Sequence, residues 1–227
     1  GERFSALQLE PVPKGDQSVC GLSWRCRALA GANLLRGQEL LRFAVLALNE
    51  GAIITACTLA RSLDETLGNV VFARRRIERA IAGREVSGLT ELLNKLFIGS
   101  KYQHPKNSKY PEPFNVMTMV DEAGKHLESF QLPEGTPIKG LFRDNYEFTS
   151  ESVHPSLGSF TVYQRPIAES RVFDRSFGSD AATVSFLLSS LRMSGHLLLV
   201  EARALSSVRD LPGGWPAHSP EDSTAGP

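Results

Sequence analysis

Two long stretches of helical periodicity stand back to back near the beginning of this chain, divided by one turn signal. From about Ser23 to Leu48 the apolar residues Trp24, Leu29, Leu34, Leu35, Leu41, Val45 and Leu48 recur at roughly helical spacing. Asn49-Glu50-Gly51 then supplies the punctuation of a helix C-terminus, and a second helix is expected from Ala52 to Ala82, ending at Gly83. A third is expected from Ser87 to Phe97 and a fourth from Val116 to Phe130, separated by the proline-containing loop Gly99 to Phe114. The fifth is the best punctuated: Thr136 can cap it, Pro137 suits its first position, and Pro155 stops it. Phe160, Val162, Tyr163, Val172 and Phe173 point to a small β-hairpin between Gly158 and Phe173, and a last helix covers about Asp180 to Ser206.

The expected fold is therefore all-α, a bundle of five to six helices with a small β-hairpin after the fifth. Residues 1–22 read as an irregular N-terminal segment, 23–207 as a single helical domain, and 208–227 as a disordered tail. That tail holds four prolines and three glycines from Leu211 to Pro227 with few aliphatic residues.

Composition bounds the function classes. The 227 residues carry 25 Lys+Arg against 25 Asp+Glu, with 41% hydrophobic and 22% charged residues. A neutral balance argues against a protein whose whole surface grips nucleic acid or anionic lipid, although a local basic patch survives that average. The most apolar stretch, Phe43 to Ala60, is interrupted by Asn49, Glu50 and Gly51 and flanked by Arg42 and Arg61, so it reads as two buried helical segments and no membrane association is expected. Gly1 to Lys14 lacks a basic segment followed by an apolar one, so no signal peptide is expected there. Cys20, Cys26 and Cys57 cannot all pair within one chain, and their spacing fits no zinc signature. Cys57, among Ala56, Leu59 and Ala60, reads as a small core residue, and a reducing, cytoplasmic setting is the simplest expectation.

Two polar constellations stand out. On a wheel of about 100° per residue, Ile53, Ile54, Cys57, Leu59, Leu63, Val70 and Phe72 of the second helix cover a wide apolar arc, opposite a strip of Thr55, Thr58, Ser62, Thr66 and Asn69. Arg61 falls inside the apolar arc and Glu65 at its edge one turn later. A buried guanidinium needs a carboxylate partner. Base before acid is the weaker order for stabilising an isolated helix, so the pair is not an obvious surface device. Arg61 reaching along the surface to water, a buried structural network and a functional site all remain open.

The second constellation is Tyr146, Ser150 and His154, four residues apart on the fifth helix and thus a stripe along one side, with Arg143 beside it. A phenol, a hydroxyl and an imidazole in line, the last at a helix C-terminus, could serve acid/base chemistry if they faced Arg61 and Glu65. The plainer alternative is that Tyr146 and His154 cap neighbouring backbone groups. The candidate site residues are Arg61, Glu65, Tyr146, Ser150 and His154.

Leu59-Ala60-Arg61-Ser62-Leu63-Asp64-Glu65 and Tyr146-x-x-x-Ser150-x-x-x-His154-Pro155-Ser156 together resemble the two signature segments of a family of uncharacterised bacterial all-helical domains. The resemblance covers about residues 24 to 206. It implies a helical fold and carries no established activity. A looser similarity is to the HEPN superfamily, helical bundles that include RNA-cleaving toxins and phage-defence effectors, whose catalytic pattern is Arg, four to six residues, then His. Here ten residues separate Arg143 from His154 and three separate Arg192 from His196. Neither spacing fits, which counts against HEPN-type RNA cleavage.

Lys101 to Tyr110 interleaves basic groups with Tyr102 and Tyr110 and could contact RNA by stacking and phosphate neutralisation, or could be a solvated loop. The Arg74, Arg75, Arg76 and Arg79 cluster reads as a helix end in water. No Gly-rich phosphate loop, GxSxG elbow or HExxH pair occurs, so no metal or other cofactor is expected. The expected function is a partner-binding or self-associating helical module, the partner being a protein or a second copy; the alternative is a metal-independent hydrolase or ribonuclease of a toxin or phage-defence type.

Overall fold

Val70, Val71, Phe72 and Ala73 are consecutive and all buried, which a helix achieves only when neighbours surround it on every side. That helix is the axis of the molecule. In a computed structural model, the structure describes residues 21–83, 88–98, 111–129, 140–154, 164–167, 170–173 and 181–209. Among these residues the fold is an all-α bundle of six helices. They are α1 (Leu22–Asn49), α2 (Ile53–Gly83), α3 (Leu89–Ile98), α4 (Val116–Leu127), α5 (Leu141–Val153) and α6 (Ala181–Ser206). α2 touches all five others, and α1 and α6 also pack on each other.

The α1–α2 turn follows from Asn49-Glu50-Gly51. Gly51 adopts φ 68°, its N–H donates to the Leu48 carbonyl at 3.0 Å, and the Ala52 N–H donates to the Ala47 carbonyl at 2.8 Å. This is the Schellman pattern, which satisfies carbonyls at the helix end and turns the chain straight into α2. α4 begins where the Asn115 side chain accepts a hydrogen bond from the Met117 N–H at 2.8 Å. The ring of Phe114, just before it, packs on Phe72 of α2 at 4.8 Å between centroids.

α1 and α6 approach closely through a reciprocal exchange. A Cβ on Gly195 would lie 2.8 Å from Leu41 Cδ1, and one on Gly37 would collide with Leu198. Each glycine therefore forms the hollow for a leucine of the opposite helix, and both leucine contacts belong to one continuous core that also includes Leu63, Leu67, Val120 and Phe142.

Two strands, β1 (Gln164–Ile167) and β2 (Ser170–Phe173), pair antiparallel with Gln164 opposite Phe173 and Ile167 opposite Ser170. The hairpin lies within the expected segment. The N-terminal segment 1–20, the loop residues 101–110 and the tail from 210 onward lie outside the described residues, as do Thr136, Pro137 and Pro155.

Three expectations are corrected. α5 begins at Leu141 with Gly140 as its N-cap at φ 76°, not at Pro137: a left-handed residue redirects the chain there, and glycine alone takes that conformation without strain. On α1, Leu35 and Val45 share the apolar period yet are 52% and 40% exposed, because this helix is apolar on both faces and only one meets the core. On α2, Thr66 of the expected polar strip is buried and donates to the Ser62 carbonyl at 2.7 Å. The strip reaches solvent nearer the start of the helix, where Thr55 and Thr58 are exposed, but at Thr66 neighbouring helices cover it.

By length and composition α6 alone among the described helices could cross a membrane. It packs against α1 and α2 instead, and its buried side carries Ser190, Ser194 and Glu201. Cys26 and Cys57 are both buried.

Candidate functional site

Two of the distant sequence segments meet where α5 crosses α2. Arg61 Nε donates to Glu65 Oε1 at 3.1 Å, and the Tyr146 hydroxyl donates to the same oxygen at 3.3 Å. The Arg61 guanidinium carbon stands 5.5 Å from the centroid of the Tyr146 ring, within range of a cation–π contact. Tyr146 is buried, while Arg61 and Glu65 keep about a quarter of their side-chain surface, at 26% and 25%. The cluster therefore sits at the rim of the core. Desolvation opposes the charge on Arg61, but Tyr146 and Glu65 outweigh it and raise its pKa further. The base-before-acid order is explained by the third member: Glu65 is positioned to serve α5 as well as its own helix.

Ser150 lies one turn beyond Tyr146, and its Oγ is buried with no hydrogen-bond partner among the described residues. His154 is the C-cap of α5; its backbone N–H donates to the Ser150 carbonyl at 3.2 Å and its residue is exposed. It makes no hydrogen bond or ion pair with Arg61 or Glu65. The reason is the direction of α5. Tyr146 stands level with Arg61 and Glu65, whereas Ser152 lies beside Cys57, one turn earlier on α2. The two helices run antiparallel, so α5 carries His154 away from the guanidinium, about 12 Å along its axis from Tyr146. Arg143 faces α4 instead, bridging Asp121 and Glu147 at the surface.

Beneath this cluster lies a buried polar layer that the sequence reading did not single out. Asp64 is fully buried, and its Oδ1 accepts a hydrogen bond from Ser194 Oγ of α6 at 2.5 Å. Its Oδ2 has no donor among the described residues. Burial pushes the carboxyl up to about 7, against the lowering effect of Ser194 and with a smaller upward push from the charge of Glu65. One turn back on α6, Ser190 accepts a hydrogen bond from Asn145 Nδ2 of α5. The neighbouring carboxylates Asp64 and Glu65 thus have opposite environments, one enclosed and the other paired at the rim.

A second charged network joins α2, α4 and α6. Arg74 donates from Nε to Glu201 Oε2 at 2.6 Å, from Nη1 to Glu78 at 3.0 Å, and from Nη2 toward His126 Nε2 at 2.8 Å. Glu201 is buried at 1% exposure. A guanidinium has only donors, so His126 Nε2 must accept, and the imidazole is neutral with its proton on Nδ1. The 3.4 Å approach of His126 Nε2 to Glu201 is then not an ion pair. Burial lowers the pKa of His126, and the charges of Arg74 and Arg75 lower it further, against the pull of Glu201. The expectation of an arginine cluster in water is corrected for Arg74, which is 15% exposed; Arg76 and Arg79 remain at the surface, both paired with Glu122.

A signal for these residues was present. The wheel that places Arg61 among apolar neighbours also places Asp64 between Ile53 and Cys57, and Arg74 between Leu63 and Leu67. On α6, Glu201 continues the face of Leu187, Ser194 and Leu198. Among the described residues, no three His, Cys, Asp or Glu side chains gather as a metal-binding group. No family model, no curated protein and no solved structure matches the chain.

Proposed function

We propose that this chain is a helical module that works by association, binding a partner protein or a second copy of itself. The observation that carries this reading is the amount of large apolar surface left outside the core. On α1, Leu35, Phe43 and Leu46 are 52%, 46% and 47% exposed. At the α5–α6 seam, the rings of Phe148 and Phe186 meet edge to face with centroids 4.7 Å apart, both more than a third exposed and with exposed Leu188 nearby in sequence. Single exposed aliphatics are ordinary, but grouped ones mark surfaces that other molecules cover. The Arg61–Glu65–Tyr146 cluster supports the same reading. Its groups satisfy one another, so it reads as a clamp that fixes α5, and with it Phe148, against α2.

A metal-independent hydrolase or ribonuclease is the second reading, favoured by one feature: Arg61, Glu65 and Tyr146 converge from segments far apart, with an unengaged Ser150 hydroxyl on the next turn. The exposed position of His154 weakens it, since a general acid or base must reach the proton it transfers. Kinship with bacterial helical domains and a cytoplasmic setting belong to this proposal too, supported respectively by the two sequence segments and by the buried free thiol of Cys57.

Photo-cross-linking tests the association reading. A photoreactive side chain replaces Phe43 or Phe148 in the full chain expressed in cells. Association predicts a discrete adduct heavier than the monomer from at least one position. Monomer alone from both, with RNA decay that depends on His154, would favour the enzyme.

A further inference from the structure

The outward face of α1 has a repeat of its own. Ala32, Leu35, Glu39, Arg42, Leu46 and Asn49 follow one another in alternating steps of three and four residues, and all six are exposed. The step is that of a helix–helix seam, here with Ala32, Leu35 and Leu46 apolar and Glu39, Arg42 and Asn49 polar. The inward face of the same helix, with Leu29, Ala30, Asn33, Leu34, Gly37, Ala44 and Leu48 buried, meets the core. α1 thus has two packing faces, of which the other described residues occupy one.

The order of residues on the outward seam is self-complementary when reversed. With a second α1 laid antiparallel about a twofold axis between Leu40 and Leu41, Leu35 faces Leu46 of the other copy and Glu39 faces its Arg42. Ala32 faces Asn49 at the ends. Symmetry makes each pairing twice. Neither Glu39 nor Arg42 has an ion-pair partner among the described residues; the guanidinium carbon of Arg42 stands 5.8 Å from the centroid of the neighbouring Phe43 ring. In a parallel pairing, by contrast, Glu39 would face Glu39 and Arg42 would face Arg42.

We propose that the occupant of this face is a second copy of the chain, forming an antiparallel, twofold-symmetric α1–α1 dimer held by the Leu35–Leu46 contacts and two Glu39–Arg42 pairs. The proposal rests on the association reading and names its partner. A C2 interface needs one self-complementary patch, and this stripe is one. A single helix pair buries little area by the standards of specific complexes, so the dimer is concentration-dependent.

Sedimentation equilibrium of the full chain tests it, with circular dichroism confirming that each variant folds. The wild type is expected to dimerise reversibly. Glu39→Arg places like charges opposite each other twice and should weaken the dimer about tenfold, as should Arg42→Glu alone. The combined Glu39→Arg/Arg42→Glu variant restores opposite charges across the axis and should recover the wild-type constant. Leu35→Glu should also weaken it by at least about tenfold, because it buries a charge against Leu46. A wild type that stays monomeric up to its solubility limit overturns the dimer; cross-links from Phe148 to a different protein would then still sustain the association reading. A dimer indifferent to both Glu39→Arg and Leu35→Glu overturns it as well, since the copies then meet elsewhere. A double variant as weak as the single ones overturns the antiparallel register.

Discussion

The phenol of Tyr146 donates to the carboxylate of Glu65 across 3.3 Å, and this bond ties α5 to the central helix at the rim of the core. Its acceptor oxygen is shared with Arg61, so the three groups act as one unit. Tyr146→Phe keeps the ring and removes the donor, and should cost about 1 kcal/mol of folding free energy in denaturant titrations. Combined with Glu65→Ala, which removes the acceptor, the two costs should be non-additive, because both remove the same bond. Strict additivity would mean that the contact carries no energy.

Asp64 gives a dependence on pH with a definite sign. Its carboxyl is raised from 3.8 to about 7 in the folded chain, so the native state holds the proton more tightly than the unfolded one. Its contribution to stability is full below pH 4 and is lost as pH rises towards 7. Above that, the buried charge opposes folding by about 4 kcal/mol relative to an unshifted carboxyl. Asp64→Asn should therefore gain stability over the wild type on going from pH 5 to pH 8. A variant whose disadvantage or advantage is the same at both values would contradict the assignment.

His126 works in the opposite direction. Its pKa is lowered from 6.5 by burial and by Arg74 and Arg75, so the folded chain favours the neutral ring. That contribution is present above pH 6.5 and is lost as pH falls below it. NMR titration of the ring should give a midpoint below that of a free histidine. A midpoint above 6.5 would mean that Glu201, not Arg74, dominates its surroundings.

Glu201 is the carboxylate that makes the burial of Arg74 tolerable, and the two are joined at 2.6 Å. Glu201→Ala strands a mostly buried guanidinium and should cost about 3 kcal/mol. Glu78→Ala removes the exposed partner of the same arginine and should cost well under 1 kcal/mol. Thermal melts of the two variants should differ clearly; equal losses would place Arg74 in solvent.

His154→Ala addresses chemistry directly. The residue is exposed and caps α5 through its backbone, so the variant should fold with little loss. Expressed beside the wild type, it should have the same effect on growth and RNA integrity. A folded variant that abolished RNA decay caused by the wild type would restore the hydrolytic reading.

The helices themselves were legible because long periodic stretches dominate the chain. α1 and α2 end within a residue or two of their expected bounds, and Asn49-Glu50-Gly51 forms the turn it resembles. The start of α5 was not legible. Thr136-Pro137 carries good capping chemistry, but the left-handed turn at Gly140 decides where the helix begins. Periodicity also cannot tell which face of a doubly apolar helix turns inward, so the exposure of Leu35 and Val45 does not show in it. Arg74 was hidden for a different reason. Surrounded in sequence by Arg75, Arg76 and Arg79, it resembles a solvated end, and its true partner lies 127 residues away. One-sided stripes on two helices raise the condition that Tyr146, Ser150 and His154 face Arg61 and Glu65, and of the three only Tyr146 bonds to that pair. The antiparallel run of α5, which separates His154 from them, depends on the tertiary packing that a wheel leaves out.

Cross-linking from position 148 or 43 in cells bears most directly on whether this chain works by association. A photoreactive residue at either site is surrounded, on this account, by another polypeptide. The predicted result is a discrete, heavier adduct from at least one position, lost when charge is introduced nearby through Leu188→Glu or Leu46→Glu respectively. Uncrossed monomer from both positions, at expression levels where the chain is folded, would contradict it.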